Sequence, residues 1–120
     1  MLASYRELAV WQRGIELVVE MYRLTALFPK TEFYGLTNQM RRAAVSIPAN
    51  IAEGYGRGHR QEYVRFLHIA FASGAELETH IAIAQKLNFA TPQEYRRAEE
   101  LLTEMMKMLR RLIVTLNPKP

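Results

Sequence analysis

The chain has 120 residues, of which 49% are hydrophobic and 23% charged, and it has no cysteine. That length buries one core and not two, and the lack of cysteine excludes a disulfide framework, a thiolate nucleophile and a cysteine metal site, which fits a reducing cytoplasm. Lys and Arg number 16 against 12 acids, for a formal net charge of +4, and every acid is glutamate, a choice that favours helix over turn. The stretch from Met1 to Val10 carries Arg6 and Glu7 and reads poorly as a secretory leader. No run approaches the roughly 20 apolar residues that span a bilayer, so the expectation is a cytoplasmic protein with no membrane partner.

The first predicted helix covers about 5–28. Leu8, Trp11, Ile15, Val18 and Tyr22 recur at steps of three and four, and so does a second row of Val10, Leu17, Met21, Leu24 and Phe28, which makes the expected buried face broad, as in a bundle. Phe28-Pro29 ends it, because the residue before proline is driven from the α region. The second helix, about 32–55, has an inner row of Leu36, Met40, Ala43, Ile47 and Ile51, and Gly54, Gly56 and Gly58 supply its stop. Pro48 lies inside this pattern and deletes one backbone hydrogen bond, so a kink near Ala44 to Pro48 is expected; the alternative is that Pro48 opens a fresh helix.

The third helix, about 60–87, carries Tyr63, Leu67, Ala70, Gly74, Leu77, Ile81 and Ala84 in step. The small residues Ala70, Ala72, Ser73, Gly74 and Ala75 suggest that it is the most enclosed of the set. Thr91-Pro92 is a start signal, with Thr91 as N-cap and Pro92 at the first helical position. The last helix, about 92–116, then aligns Tyr95, Ala98, Leu102, Met105, Leu109, Leu112 and Leu116 until Asn117-Pro118. The inner rows step near 3.5 residues per turn, which favours shallow, left-handed crossing at roughly 20°. The predicted fold is therefore all-α: one domain, residues 1–120, forming an antiparallel up-down four-helix bundle.

Three stretches carry a family resemblance: YRELAVWQRGIEL, FPKTEFYGLTNQMRRAAVSIPANIAEGYGR and EYVRFLHIAFASGAELETHI. They resemble the bacterial four helix bundle protein family, whose first members were found encoded in intervening sequences of 23S rRNA genes and were once labelled ribosomal proteins. The likeness runs from Tyr5 to about Leu112 and is most specific from Arg41 to Gly54. It implies a homopentameric ring with a basic surface and no established enzymatic activity. A protein similar in shape, the accessory variability determinant of diversity-generating retroelements, binds nucleic acid and a reverse transcriptase, which makes RNA, DNA or a nucleic-acid-handling protein the partners to consider by analogy.

The chemistry-bearing residues point away from catalysis. No Glu-x-x-His motif precedes His59, His68 or His80, and Glu76 with His80 makes at most half a metal site. Gly54 to Gly58 follows a helix instead of a strand, so it reads as a helix stop and not as a phosphate loop. Ser46 and Ser73 have no base placed beside them by sequence. No catalytic residue, cofactor or metal is expected, and the protein is not expected to be an enzyme.

The basic residues are more informative. Residues 30–60 carry Lys30, Arg41, Arg42, Arg57 and Arg60 against Glu32 and Glu53, a net +3; the final stretch has Lys107, Arg110, Arg111 and Lys119 against Glu104, again +3; residues 61–100 are net −2. Arg41, Arg42, Arg57, Arg60, Arg110 and Arg111 are the candidate phosphate contacts, with Tyr34 and Tyr55 the candidate stacking residues. The bland reading is a solvated, salt-bridged face. A polar stripe of Arg42, Ser46, Asn50, Glu53 and Arg57 follows helix two and is either a partner site or a surface in which Glu53 and Arg57 bridge at i, i+4. Apolar excess at Leu101, Met106, Met108 and Ile113 on helix four, and at Val19 on helix one, suggests self-association. The leading expectation is a non-enzymatic homo-oligomer that binds nucleic acid or a nucleic-acid-handling protein; the alternative is a protein-interaction scaffold with no nucleic-acid role.

Overall fold

The computed structural model describes residues 4–117, so the expected stop at Pro118 and the basic Lys119 lie outside the described residues. Four helices form it: α1 Ala9–Thr25, α2 Leu36–Gly56, α3 Arg60–Lys86 and α4 Arg96–Leu116. Each helix packs on the next and α4 closes back on α1, which with short connections makes an antiparallel square of four in a body of 44 × 28 × 20 Å.

The sequence places the helix ends to within a few residues, and the differences have local causes. Ser4 caps a short 3-10 turn at Tyr5–Glu7 by accepting from the Arg6 N–H, and extended backbone at Leu8 then separates that turn from α1. Past Thr25 the chain turns through Phe28 and a second 3-10 turn, Lys30–Glu32, before α2 begins. The Glu32 carboxylate bends back to accept from the Leu36 N–H at 3.3 Å, offering negative charge to the first turn of α2. Between α2 and α3 only Arg57, Gly58 and His59 intervene, and Gly58 has φ +76, the left-handed region that glycine enters without cost.

The α3–α4 connection is built from two complementary caps. Asn88 takes φ 61 while its N–H donates to Gln85 O at 3.1 Å and the Phe89 N–H donates to Ala84 O at 3.0 Å, the paired bonds of a Schellman motif. Thr91 then opens the next element as expected, with the Glu94 carboxylate accepting from the Thr91 N–H at 2.8 Å, a capping-box bond that holds Glu94 below the usual carboxylate range. Its first turn is 3-10, Pro92–Tyr95, and α4 proper starts at Arg96.

Inside, the rows behave unequally. Val10, Leu17, Met21, Leu24 and Phe28 are buried, whereas Leu8, Trp11 and Val18 are half-buried and Ile15 and Tyr22 are 38% and 46% exposed. The buried row is completed by Gly14, whose missing side chain admits α2: a Cβ there would stand 3.2 Å from Pro48 Cβ. Pro48 is itself buried, and α2 runs through it as one helix instead of two. Its inner row of Met40, Ala43, Ile47 and Ile51 is buried as expected.

Glycines repeat this device at the next two crossings. A Cβ on Gly54 would lie 2.6 Å from Phe66 Cβ, and one on Gly74 would lie 2.2 Å from the Met106 sulfur. The small run on α3 therefore serves particular neighbours: Ala70, Ser73 and Gly74 are buried, while Ala72 and Ala75 face solvent. The apolar surplus of α4 is largely absorbed within the chain, since Leu101 is in the core and Met106, Met108 and Ile113 are half-buried against it. The surplus of α1 is not absorbed, and Val19 is 64% exposed.

His80 on α3 is 6% exposed, its Nδ1 has no hydrogen-bond partner, and its Nε2 lies 3.6 Å from the Glu76 carboxylate. Burial pushes its pKa below the ordinary 6.5, and Glu76 pulls the other way more weakly. The unfolded chain thus takes up the imidazole proton first as pH falls, so this contribution to stability is complete above 6.5 and is lost below it, until the folded state also protonates.

Urea unfolding checks two consequences. Gly54→Ala should lower stability by about 1–3 kcal/mol, because Phe66 Cβ cannot swing away, although alanine is the better helix former by about 1 kcal/mol; Gly56→Ala, with nothing within 4 Å of the new carbon, should instead be neutral or stabilising by up to about 1 kcal/mol. Between pH 7.5 and 5 the wild-type midpoint should fall with pH, and His80→Gln should flatten that slope.

Candidate nucleic-acid interface

The up-down topology scatters the six candidate arginines. Arg41 and Arg42 sit in the first half of α2, near the α1–α2 turn, while Arg57 and Arg60 flank the α2–α3 turn at the opposite end. Arg110 and Arg111, in the last two turns of α4, are on that same half of the bundle but face different neighbours. The Arg110 guanidinium lies 5.4 Å from the Phe71 ring centre on α3, whereas Arg111 borders Leu8, Ala9 and Val10 at the start of α1.

Two of the six are held by the protein itself. Arg41 donates from Nε to Thr25 Oγ1 at 2.9 Å and from Nη2 to Tyr22 O at 3.5 Å, with its guanidinium carbon 4.4 Å from the Tyr22 ring centre and 5.9 Å from that of Phe33. It therefore serves the carbonyl-rich end of α1, where a cation is favoured. Arg57 pairs with Glu53 at 2.9 Å, the expected i, i+4 bridge, and lies over Phe66 at 5.0 Å.

The other four are exposed and make no ion pair among the described residues. The glutamates that might have neutralised them are engaged elsewhere: Glu16 and Glu104 with Arg13, Glu20 with Arg23, Glu62 with Arg65. The Arg65 guanidinium holds Glu62 below the usual carboxylate range. These pairs sit mostly at i, i+3 and i, i+4, the spacing at which helix side chains meet.

The polar stripe on α2 is divided by burial. Asn50 Nδ2 donates to Ser46 O at 2.7 Å and to Ser46 Oγ at 2.8 Å, and Ser46 Oγ meets Ser73 Oγ of α3 at 2.8 Å. Ser46 and Asn50 thus belong to an α2–α3 joint, and the two serines are spent on each other. Arg42, Glu53 and Arg57 are the members that face solvent.

A groove of about 500 Å³ opens between the end of α1 and the first half of α2, lined by Tyr22, Phe33, Thr37, Asn38, Arg41, Arg42, Val45 and Ser46. Tyr22 is exposed here because the buried row of α1 runs through Gly14 and not through Tyr22, and Phe33 is exposed on the α1–α2 connection. Sequence reasoning placed Tyr22 in the core and gave Phe33 no role; the one signal was Arg41 at a spacing that reaches the end of α1. Of the proposed stacking residues, Tyr34 is 90% exposed, while Tyr55 is half-buried, edge-on to Tyr63 at 5.6 Å.

The remaining chemistry is sparse. Among the described residues no three His or Glu side chains converge on a point that could hold a metal ion, and no helix is long and apolar enough to cross a membrane.

A solved structure similar to this chain is that of a protein of unknown function from the S23 ribosomal protein family of Bacteroides thetaiotaomicron VPI-5482; at 24% identity, over 87% of this chain and 94% of that one, the two share the fold with a TM-score of 0.79. No functionally curated protein matches the chain. The family model described as 23S rRNA-intervening sequence protein matches residues 6–111, and with nearly the whole bundle inside that match, the chain belongs to this family.

Proposed function

We propose that the protein is a non-enzymatic, homo-oligomeric bundle of the cytoplasm that binds nucleic acid through its phosphates. One observation carries the reading: among the described residues Arg42, Arg60, Arg110 and Arg111 are exposed and make no ion pair, whereas Arg13, Arg23, Arg57, Arg65 and Arg97 are each paired with a glutamate. Unpaired guanidinium groups offer phosphate two parallel donors with no ion pair to break first. Contacts of this kind fix position and carry no base information. Self-association would repeat the set on each subunit, and a ring of five, as the family resemblance implies, would add their fields. The exposed Ile15 and Val19 on the outer side of α1 are the surface that supports such an assembly.

The same apolar surface supports a second reading, in which the bundle is a scaffold for another protein and its charge serves solubility. Partners recovered from cells separate the two: those that survive nuclease treatment favour the scaffold, and those that do not favour nucleic acid.

The arginine reading is tested by anisotropy titration of a labelled 20-nucleotide RNA and the matching DNA, with native mass measured in parallel. Arg60→Ala, Arg110→Ala and Arg111→Ala combined should weaken binding of both by tenfold or more at ~50 mM salt and lower the slope of log affinity against log salt by about three, with the mass unchanged. Wild-type affinity in the triple variant would contradict the proposal.

A further inference from the structure

The groove between α1 and α2 deepens this reading and rests on it. We propose that it is a nucleotide-stacking site, which takes an unpaired base of a single strand against Phe33 and the phosphate of that nucleotide on Arg42.

Its size comes first. At about 500 Å³ it lies within the range of small-ligand sites, and its lining has the two chemistries that a nucleotide presents. Phe33 is 51% exposed, with the Tyr34 ring perpendicular to it at 5.0 Å and the Arg41 guanidinium over it at 5.9 Å, so half of the ring's surface is left for a base to stack on. Stacking of this kind tolerates any base, because each has a π-face.

The second argument is charge. Arg41 and Arg42 both line the groove and no carboxylate does. The nearby Glu32 is turned to the first turn of α2, where it accepts from the Leu36 N–H, and Glu20 is bound by Arg23. Arg41 is fixed by Thr25, Tyr22 and Phe33, so it contributes a stationary positive charge at the wall. Arg42 is free to close on an anion. A strong cation is thus left uncompensated beside an exposed ring, which is the pairing that single-strand binders use.

The third argument is what polar groups remain. The Asn38 side chain makes no hydrogen bond within the described residues and is exposed at the groove, and an amide can both donate to and accept from a base edge. An apolar protein anchor would leave that amide and the Arg42 guanidinium facing it. A nucleotide satisfies both.

The test compares a labelled single-stranded oligonucleotide of mixed sequence with its duplex at ~50 mM salt, using Phe33→Leu, which keeps apolar bulk and removes the ring, and Arg42→Gln. Phe33→Leu should weaken the single strand about tenfold, the effect of losing one base stack, and leave the duplex unaffected, whose bases are already stacked. Arg42→Gln should weaken the single strand as well, with circular dichroism and native mass unchanged in both variants. Equal affinity of Phe33→Leu and wild type for the single strand overturns the stacking site and leaves phosphate binding elsewhere standing. A wild type that binds neither strand form overturns both readings. Dissociation of the oligomer by Phe33→Leu overturns the site in a third way, because it assigns the groove to a protein contact.

Discussion

Gly54 holds α2 and α3 closer than a β-carbon would permit, against Phe66, while Gly14 and Gly74 leave room for Pro48 and for the Met106 side chain at the crossings on either side. Close approach of this kind fixes which face of each helix points inward, since interdigitated side chains admit few alternative arrangements. On α1 the result is plain. The inward face runs through Val10, Gly14, Leu17, Met21 and Leu24, so Ile15, Val19 and Tyr22 are turned outward even though they share the helical period. Proline inside α2, which costs about 3 kcal/mol in an ordinary helix interior, is accommodated where its ring fills the space that Gly14 leaves.

That orientation in turn decides the surface. Turning Tyr22 outward gives Arg41 a ring to lie on and a carbonyl to serve at the end of α1, which closes the α1–α2 turn and builds one wall of the groove. The joint of Ser46, Asn50 and Ser73 does a comparable job between α2 and α3. A polar group buried there without its partners would cost about 1–3 kcal/mol, so the three residues specify one sliding position of the two helices. What remains for solvent is a set of arginines, some paired with a glutamate three or four residues away and others, Arg42, Arg60, Arg110 and Arg111 among them, with no ion pair among the described residues.

The architecture was legible in the sequence because it follows from periodicity and caps. Most of the inner rows of α2, α3 and α4 and the Thr91 cap are visible as residue patterns and appear where the pattern put them, whereas α2 runs on through Gly54 and Gly56 and only Gly58 of the expected glycine stop lies in the turn. Less legible was which of two equivalent rows on α1 faces the core, because that depends on Gly14 meeting Pro48, a contact between residues far apart in the chain. The apolar surplus of α4 was misjudged for a related reason: Leu101 and Met106 look peripheral by spacing, but Leu101 is buried and the Met106 side chain fills the space beside Gly74. The six arginines and the polar stripe were identifiable by type, but sequence does not show that Arg41 and Arg57 have partners or that Ser46 and Asn50 point into a joint. The groove escaped notice because Tyr22 read as core and Phe33, between two helices, had no pattern to place it.

The central claim is that unpaired surface arginines hold phosphates, and the salt dependence of the wild-type protein addresses it most directly. Affinity for RNA and for DNA of scrambled sequence, measured from ~50 to ~300 mM salt, should fall along a steep straight line in log–log form, with a slope near the number of phosphates neutralised and about the same for every sequence. A flat line, or no binding at the lowest salt, would contradict the account.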